Sequence, residues 1–312
     1  MDCGRDQVAG EISSRVVGEI AWRAVGEIAS RVAGSIAAPV HETTPSVHLI
    51  ARPALDVDGV RAYLRDVGGE SWLEGRLREG DRADPAEPSA EAPRVNSGEL
   101  LVEFGGRVCY RSWEPGLNPN VSHIRSARDE YLANILASGH GSVLEHANYS
   151  FALRNVSRVF THELIRHRAG SAFSQESLRY VRLSDIGFRV PPALEPLRER
   201  ALAIVEQLEE FQLDAARELG LDEEGVPFAV KKEVTSALRR LAPIGLSTDI
   251  LWTANARTLR HVIELRTAPG AEEELRFVFD QIAHLMCAAA PLLFADFTRR
   301  EDGAWVPEHH KV

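Results

Sequence analysis

Fifteen residues, Arg166-His167-Arg168-Ala169-Gly170-Ser171-Ala172-Phe173-Ser174-Gln175-Glu176-Ser177-Leu178-Arg179-Tyr180, gather three arginines, an imidazole, three serines, a glutamine and a tyrosine. Guanidinium forks bind phosphate through paired donors, and hydroxyls, amides and imidazoles read the polar edge of a ring. The stretch therefore suits a phosphorylated ring compound. Its surroundings sharpen that reading: residues 151–182 carry arginines at 154, 158, 166, 168, 179 and 182 against only Glu163 and Glu176, in a chain whose net charge is −10. Positive potential gathered locally in an acidic protein fits a small anion, and it disfavours nucleic acid or an anionic membrane as partner.

The elements around the cluster must present it. Val156, Val159, Phe160 and Leu164 recur at helical spacing, which predicts an amphipathic helix over Val156–His167 with Arg158, His162 and Arg166 along its opposite edge. Ahead of it, Asn148–Leu153 alternates as a strand does. Ser126–Ser138 suits a helix stopped by Gly139-His140-Gly141, and Ser142-Val143-Leu144-Glu145 has the form of a capping box. Far downstream, Asn255–Arg266 reads as a helix after the apolar run Ile250-Leu251-Trp252, with Leu259, Val262 and Ile263 on its buried face. Arg266 falls on that face too, and a buried guanidinium requires a partner, either a carboxylate of the protein or a ligand phosphate. Arg239-Arg240 ends another helix-like stretch, Pro227–Leu241, and Ala271–Phe297 predicts one or two closing helices.

The remainder of the chain sets bounds. At 312 residues it is long enough for a sizeable core and one or two domains. Its three cysteines, at 3, 109 and 287, are too scattered for a disulfide framework or a metal knuckle. No apolar run approaches the roughly 20 residues of a membrane span, and Met1-Asp2-Cys3-Gly4-Arg5-Asp6 lacks the apolar core of a secretory signal, so a cytoplasmic protein is expected. VAGEISSR, VVGEIAWR, AVGEIASR and VAGSIAAP repeat with a period of eight from Val8 to Pro39, and residues 1–44 are read as a peripheral or disordered extension. A catalytic domain is expected over 45–305, with a strand at Val47–Ala51, a helix at Val57–Val67 ending at Gly68-Gly69, a flexible insertion near 78–97 and a second strand at Leu100–Tyr110; 306–312 would be a tail. His162 and His167 are five apart, about 140° around a helix, so a joint metal site is not expected and none is assigned elsewhere. The chain also lacks a GxGxxG turn, a P-loop and a GxSxG elbow.

Arg166-His167-Arg168 followed by Ser177-Leu178-Arg179-Tyr180 resembles the signature of the flavin-dependent thymidylate synthases, an RHR triplet, seven residues and a serine, usually with RY just beyond. The resemblance extends to Gly139-His140-Gly141-Ser142 with Glu145-His146 upstream, and to Asn255-Ala256-Arg257 with Leu265-Arg266 downstream, covering roughly residues 100–298 in order. It implies an α+β fold with a mixed, largely antiparallel sheet flanked by helices, assembled as a homotetramer with sites shared between subunits. It also implies FAD-dependent methylation of dUMP at C5, with methylenetetrahydrofolate as one-carbon donor and NADPH as reductant.

Carried over position by position, the resemblance implies that Arg166, Gln175, Ser177, Leu178, Arg179, Arg239 and Arg266 line the nucleotide, with Ser177 and Arg266 closest to the chemistry. It implies that Arg166, His167, Arg168, Cys109, His140 and Ser142 approach the flavin, together with Glu145, Asn255, Arg257 and His261. Two departures stand beside the substrate. Eight residues, not seven, separate Arg168 from Ser177, and Glu163 stands where the family often has a glutamine. Both leave open the same chemistry on UMP, as in family members of nucleoside-antibiotic pathways. A nucleotide-binding regulator without turnover is the alternative from another class.

Overall fold

Along Asn148–Ser157 buried and open side chains alternate, with Tyr149, Phe151 and Leu153 pointing into one core, as a strand buried on a single face requires. That strand belongs to a computed structural model describing residues 41–81, 96–121, 123–180 and 185–312. In chain order its elements are β1 (His41–Glu42), β2 (Ser46–Ala51), α1 (Val57–Val67), α2 (Glu70–Asp81), α3 (Ser97–Tyr110), α4 (Arg128–Ala137), β3 (Asn148–Ser157) and α5 (Arg158–Leu164). They continue with β4 (Ser171–Gln175), β5 (Gly187–Phe188), α6 (Arg198–Glu218), α7 (Phe228–Leu238), β6 (Ser247–Asn255), α8 (Ala256–Thr267), α9 (Glu273–Ala289), β7 (Phe297–Arg299) and β8 (Trp305–Pro307).

The chain divides into two compact units. The larger comprises Pro45–Gln175 and Asp249–Val312. Its four-stranded sheet has the order β2-β3-β6-β4, with β2 antiparallel to β3 and β4 antiparallel to β6, where Ser171 faces Ala254 and Gln175 faces Ile250. Ile250, Trp252 and Ala254 of β6 turn inward beside Phe151 and Leu153, and α8 and α9 cover them with Leu259, Val262, Ile263, Phe279 and Ile282. A satellite core of Leu64, Trp72, Leu73, Leu100 and Trp113 joins α1, α2 and α3. The smaller unit comprises residues to Thr44 with Glu176–Thr248; its described part pairs β1 in parallel with β5 and closes a small core of Ile186, Val205 and Leu246. The α+β arrangement and the largely antiparallel sheet agree with expectation. Among the described residues no helix is long and apolar enough to cross a membrane.

Several local expectations are corrected. Leu100–Tyr110 is the body of α3, not a strand: Asn96 caps the helix by accepting from the Glu99 amide at 3.2 Å, and the face it buries includes Glu99, Glu103 and Arg107. The helix expected over Val156–His167 covers only Arg158–Leu164, because Val156 completes the buried face of β3 and the Ser157 hydroxyl caps the helix at the Phe160 amide. The capping box at Ser142 does not form. Gly141–His146 is a short 3-10 helix preceded by His140, which makes no side-chain cap. At the edges of the expected 78–97 insertion, residues 78–81 finish α2 while Asn96 and Ser97 start α3; residues 82–95 and the eight-residue repeats lie outside the described residues.

Candidate active site

The larger unit brings the distant motifs together along α8. Asn255 ends β6 and caps α8 by accepting from the Thr258 amide at 2.8 Å, so Arg257 projects from the first turn. Arg257 donates to Glu145 of the 3-10 helix at 2.6 Å and, through Nε, to the main-chain oxygen of Val312 at 3.1 Å. Two expected flavin residues, 112 positions apart, thus share an ion pair. Beside them His140 lies edge-on to Tyr110, with ring centroids 5.6 Å apart, and its buried Nδ1 has no hydrogen-bond partner among the described residues. Such an atom is costly unless a ligand or solvent group satisfies it. Ser142 is exposed on the same short helix, and Cys109 is exposed near the end of α3.

The Arg166-His167-Arg168 triplet follows α5 instead of ending it, and Arg166 and Arg168 are exposed. His167 turns toward α8, where its ring lies 6.4 Å from that of His261. Arg266, in the last turn of α8, donates through Nε to His167 Nε2 at 2.8 Å and through Nη1 to Glu163 at 2.6 Å. The partner required by this arginine is therefore a carboxylate of the protein itself, the same Glu163 that departs from the family pattern. The arginine buried most completely on α8 is Arg260, which no motif had singled out. It forms a bidentate pair with Asp296 at 2.7 and 2.8 Å and has a structural role.

Burial, with the neighbouring Arg266 and His261, lowers the His167 ring to about 4. The ring is neutral near pH 7 and accepts at Nε2, so its proton sits on Nδ1. A ring whose folded value lies below its ordinary 6.5 contributes stability that is complete above that value and is lost as pH falls through the window down to about 4, where the unfolded chain binds the proton and the folded chain does not. Chemical denaturation of His167→Gln across this window should show a shallower fall in stability toward acid than the wild type. Equal slopes would remove His167 as the cause.

The remaining expected residues distribute between the units. Gln175 closes β4 and donates to the Thr161 hydroxyl at 3.0 Å within the larger unit. In the smaller unit the Ser177 hydroxyl accepts from the Arg179 amide at 3.4 Å, holding a turn, and the Arg179 guanidinium lies 5.9 Å from the centre of the Tyr180 ring. Leu178 and Arg239 both line a cavity of about 390 Å³ whose walls include Gln212, Leu213 and Leu238. Arg217, Asp222 and Arg239 add charge of both signs to a lining otherwise rich in leucine and alanine. Among the described residues no cluster of three or more His, Cys, Asp or Glu side chains is arranged to hold a metal ion.

Sequence reasoning missed Tyr110, Thr161 and Thr258. Thr258 had a signal, since it stands three residues after a capping asparagine, while Tyr110 and Thr161 meet their partners only through packing.

The sequence pattern of the family described as "Thymidylate synthase complementing protein" matches residues 94–292. A flavin-dependent thymidylate synthase of Mycobacterium marinum is 38% identical over 219 residues, covering 68% of this chain and 85% of that protein. Proteins of the same name from Mycobacterium tuberculosis and Mycolicibacterium gilvum are 37% identical over 219 and 220 residues, with the same shares covered. The matched span contains each motif assembled around α8, and the chain belongs to the flavin-dependent thymidylate synthase family of enzymes.

Proposed function

We propose that the protein methylates dUMP at C5, taking the carbon from methylenetetrahydrofolate and two electrons from NADPH, with FAD as resident cofactor. The balance is dUMP, methylenetetrahydrofolate, NADPH and a proton giving dTMP, tetrahydrofolate and NADP⁺. The observation that carries the reading is the assembly along one helix of Arg257, Glu145 and Asn255 at its start and His167 of the Arg166-His167-Arg168 segment against Arg266 in its last turn, with an unpartnered buried nitrogen on His140.

The donor set fits FAD. Arg257, Arg168 and Arg166 supply positive charge for its pyrophosphate and ring, while His140, Ser142 and Asn255 supply directional hydrogen bonds. Cys109 and His261 are assigned to its periphery. When bound, the flavin would pass electrons from NADPH to the transferred carbon. The protein's own part is orientation and polarisation. Arg266, fixed by Glu163, offers its remaining N–H groups to the polar edge of the pyrimidine, where they stabilise charge that builds on ring oxygen or nitrogen. Neutral His167 holds the Arg266 plane from the other side. Arg179 and Arg239 are assigned to the phosphate, Gln175, Leu178 and Arg166 to the remainder of the nucleotide, and Ser177 to orientation near the reacting carbon, since no histidine–aspartate relay activates it as a nucleophile.

A homotetramer is part of the proposal. Ile204, Phe228 and Ile244 of the smaller unit are 59, 67 and 59% exposed, and apolar side chains left this open suit contact with further copies of the chain. A soluble cytoplasmic enzyme is the setting that NADPH and reduced folate imply.

Flavin content tests the cofactor assignment. Purified protein should carry FAD or take it up in stoichiometric amount, and protein that stays colourless after incubation with FAD contradicts it.

A further inference from the structure

Between the arginine triplet and β4 the chain turns sharply at Gly170, whose φ of +65° lies in the left-handed region. A side chain there would collide with the Asn255 amide and the Thr258 hydroxyl. The close approach lets the first turn of α8 hold two successive carbonyls. The Thr258 hydroxyl donates to Ala169 O at 2.8 Å, and the main-chain N–H of Asn255 donates to Gly170 O at 3.1 Å. Inside the turn, the Ser171 amide donates to Arg168 O at 3.3 Å. Arg168 is therefore fixed to the helix start that carries Asn255 and Arg257. Within this latch Thr258 has no expected ligand role, yet its hydroxyl is the side-chain group that sets the Ala169 carbonyl. The latch also occupies the segment in which the additional residue between Arg168 and Ser177 must be absorbed.

We propose that Thr258 is a positioning residue of the flavin site, acting through the Ala169 carbonyl to fix the direction in which Arg168 is presented beside the first turn of α8. The inference rests on the flavin reading above. Ala169 is exposed, so water replaces the lost bond in Thr258→Val. The expected loss is of orientation and not of stability.

The test measures FAD affinity and thermal stability of the full chain for wild type, Thr258→Val, Thr258→Ser, Arg168→Ala and the Thr258→Val/Arg168→Ala double variant, together with exchange of the Ser171 amide. Thr258→Val should weaken FAD binding about fivefold, the effect of one neutral hydrogen bond, at an unchanged melting temperature and with faster Ser171 exchange. Thr258→Ser should restore both. In the Arg168→Ala background the valine should cost nothing further, because the two residues act in series. Wild-type affinity in Thr258→Val, or losses that add in the double variant, would overturn the proposal. If the wild type binds no FAD, the cofactor reading fails and the flavin role of Thr258 with it. The exchange data then separate the two failures, since unchanged Ser171 exchange in Thr258→Val denies the latch itself.

Discussion

Arg266→Ala should weaken binding of dUMP by about 1.5–3 kcal/mol, the range for charge-assisted hydrogen bonds, or roughly 10- to 150-fold, and lower turnover further. The guanidinium is held from two sides, by Glu163 at 2.6 Å and His167 at 2.8 Å, so its plane is set before any ligand arrives. Donors oriented in advance cost no reorganisation when charge develops on the substrate, which is why their removal should affect the reaction more than the ground state. Arg266→Lys should not rescue, because one ammonium cannot reproduce a planar fork that serves two partners in fixed directions. Arg257→Ala provides the contrast, loosening FAD by removing the charge that pairs with Glu145. Titration calorimetry with dUMP and with UMP checks the assignment, and wild-type affinity for both in Arg266→Ala would show that Arg266 does not touch the nucleotide.

The second large effect concerns folding. Glu103 of α3 is fully buried, and its carboxylate accepts from Arg76 at 2.7 and 2.9 Å, from Arg107 at 2.8 Å and from the Trp72 indole at 2.9 Å. Burial pushes this carboxyl up, but its hydrogen bond from Arg76 and the charges of Arg107 and Arg76 prevail and hold it below the usual range. The two arginines, 4 and 1% exposed, also donate to the main-chain oxygens of Ser126, Ser112 and Arg125, fastening the stretch between α3 and α4. Glu103→Ala leaves two guanidiniums buried around a void and should destabilise the protein by about 3–5 kcal/mol. Urea denaturation measures it. A loss below about 1 kcal/mol would mean that solvent reaches the arginines and that the network is not the tie described.

The same network explains where the sequence was misread. A segment holding Leu100, Val102 and Phe104 before a pair of glycines has the apolar density of a strand. The face that α3 buries is partly charged, so no helical apolar stripe appears. Helices with ordinary caps were legible: α1 follows Asp56 and stops at Gly68, and α8 follows Asn255 with Leu259, Val262 and Ile263 inward. Val156 illustrates the opposite difficulty, since an apolar residue at a strand–helix junction fits both periods, and only the Ser157 cap decides between them.

For the site, the motifs and their order were visible, because they are local. Their pairings were not. Glu163 with Arg266 and Glu145 with Arg257 join residues about a hundred positions apart, and no spacing rule connects such pairs. The sequence required a partner for Arg266 and left open whether it was protein or ligand. The fold supplies Glu163, with the His167 ring as a second partner.

Release of tritium from [5-³H]dUMP by the purified full chain, with methylenetetrahydrofolate, NADPH and FAD, tests the central claim most directly, with labelled UMP run in parallel. Release should require all three and yield the 5-methyl nucleotide in equal amount. Nucleotide binding without flavin- and folate-dependent release would contradict it and identify a binding protein instead.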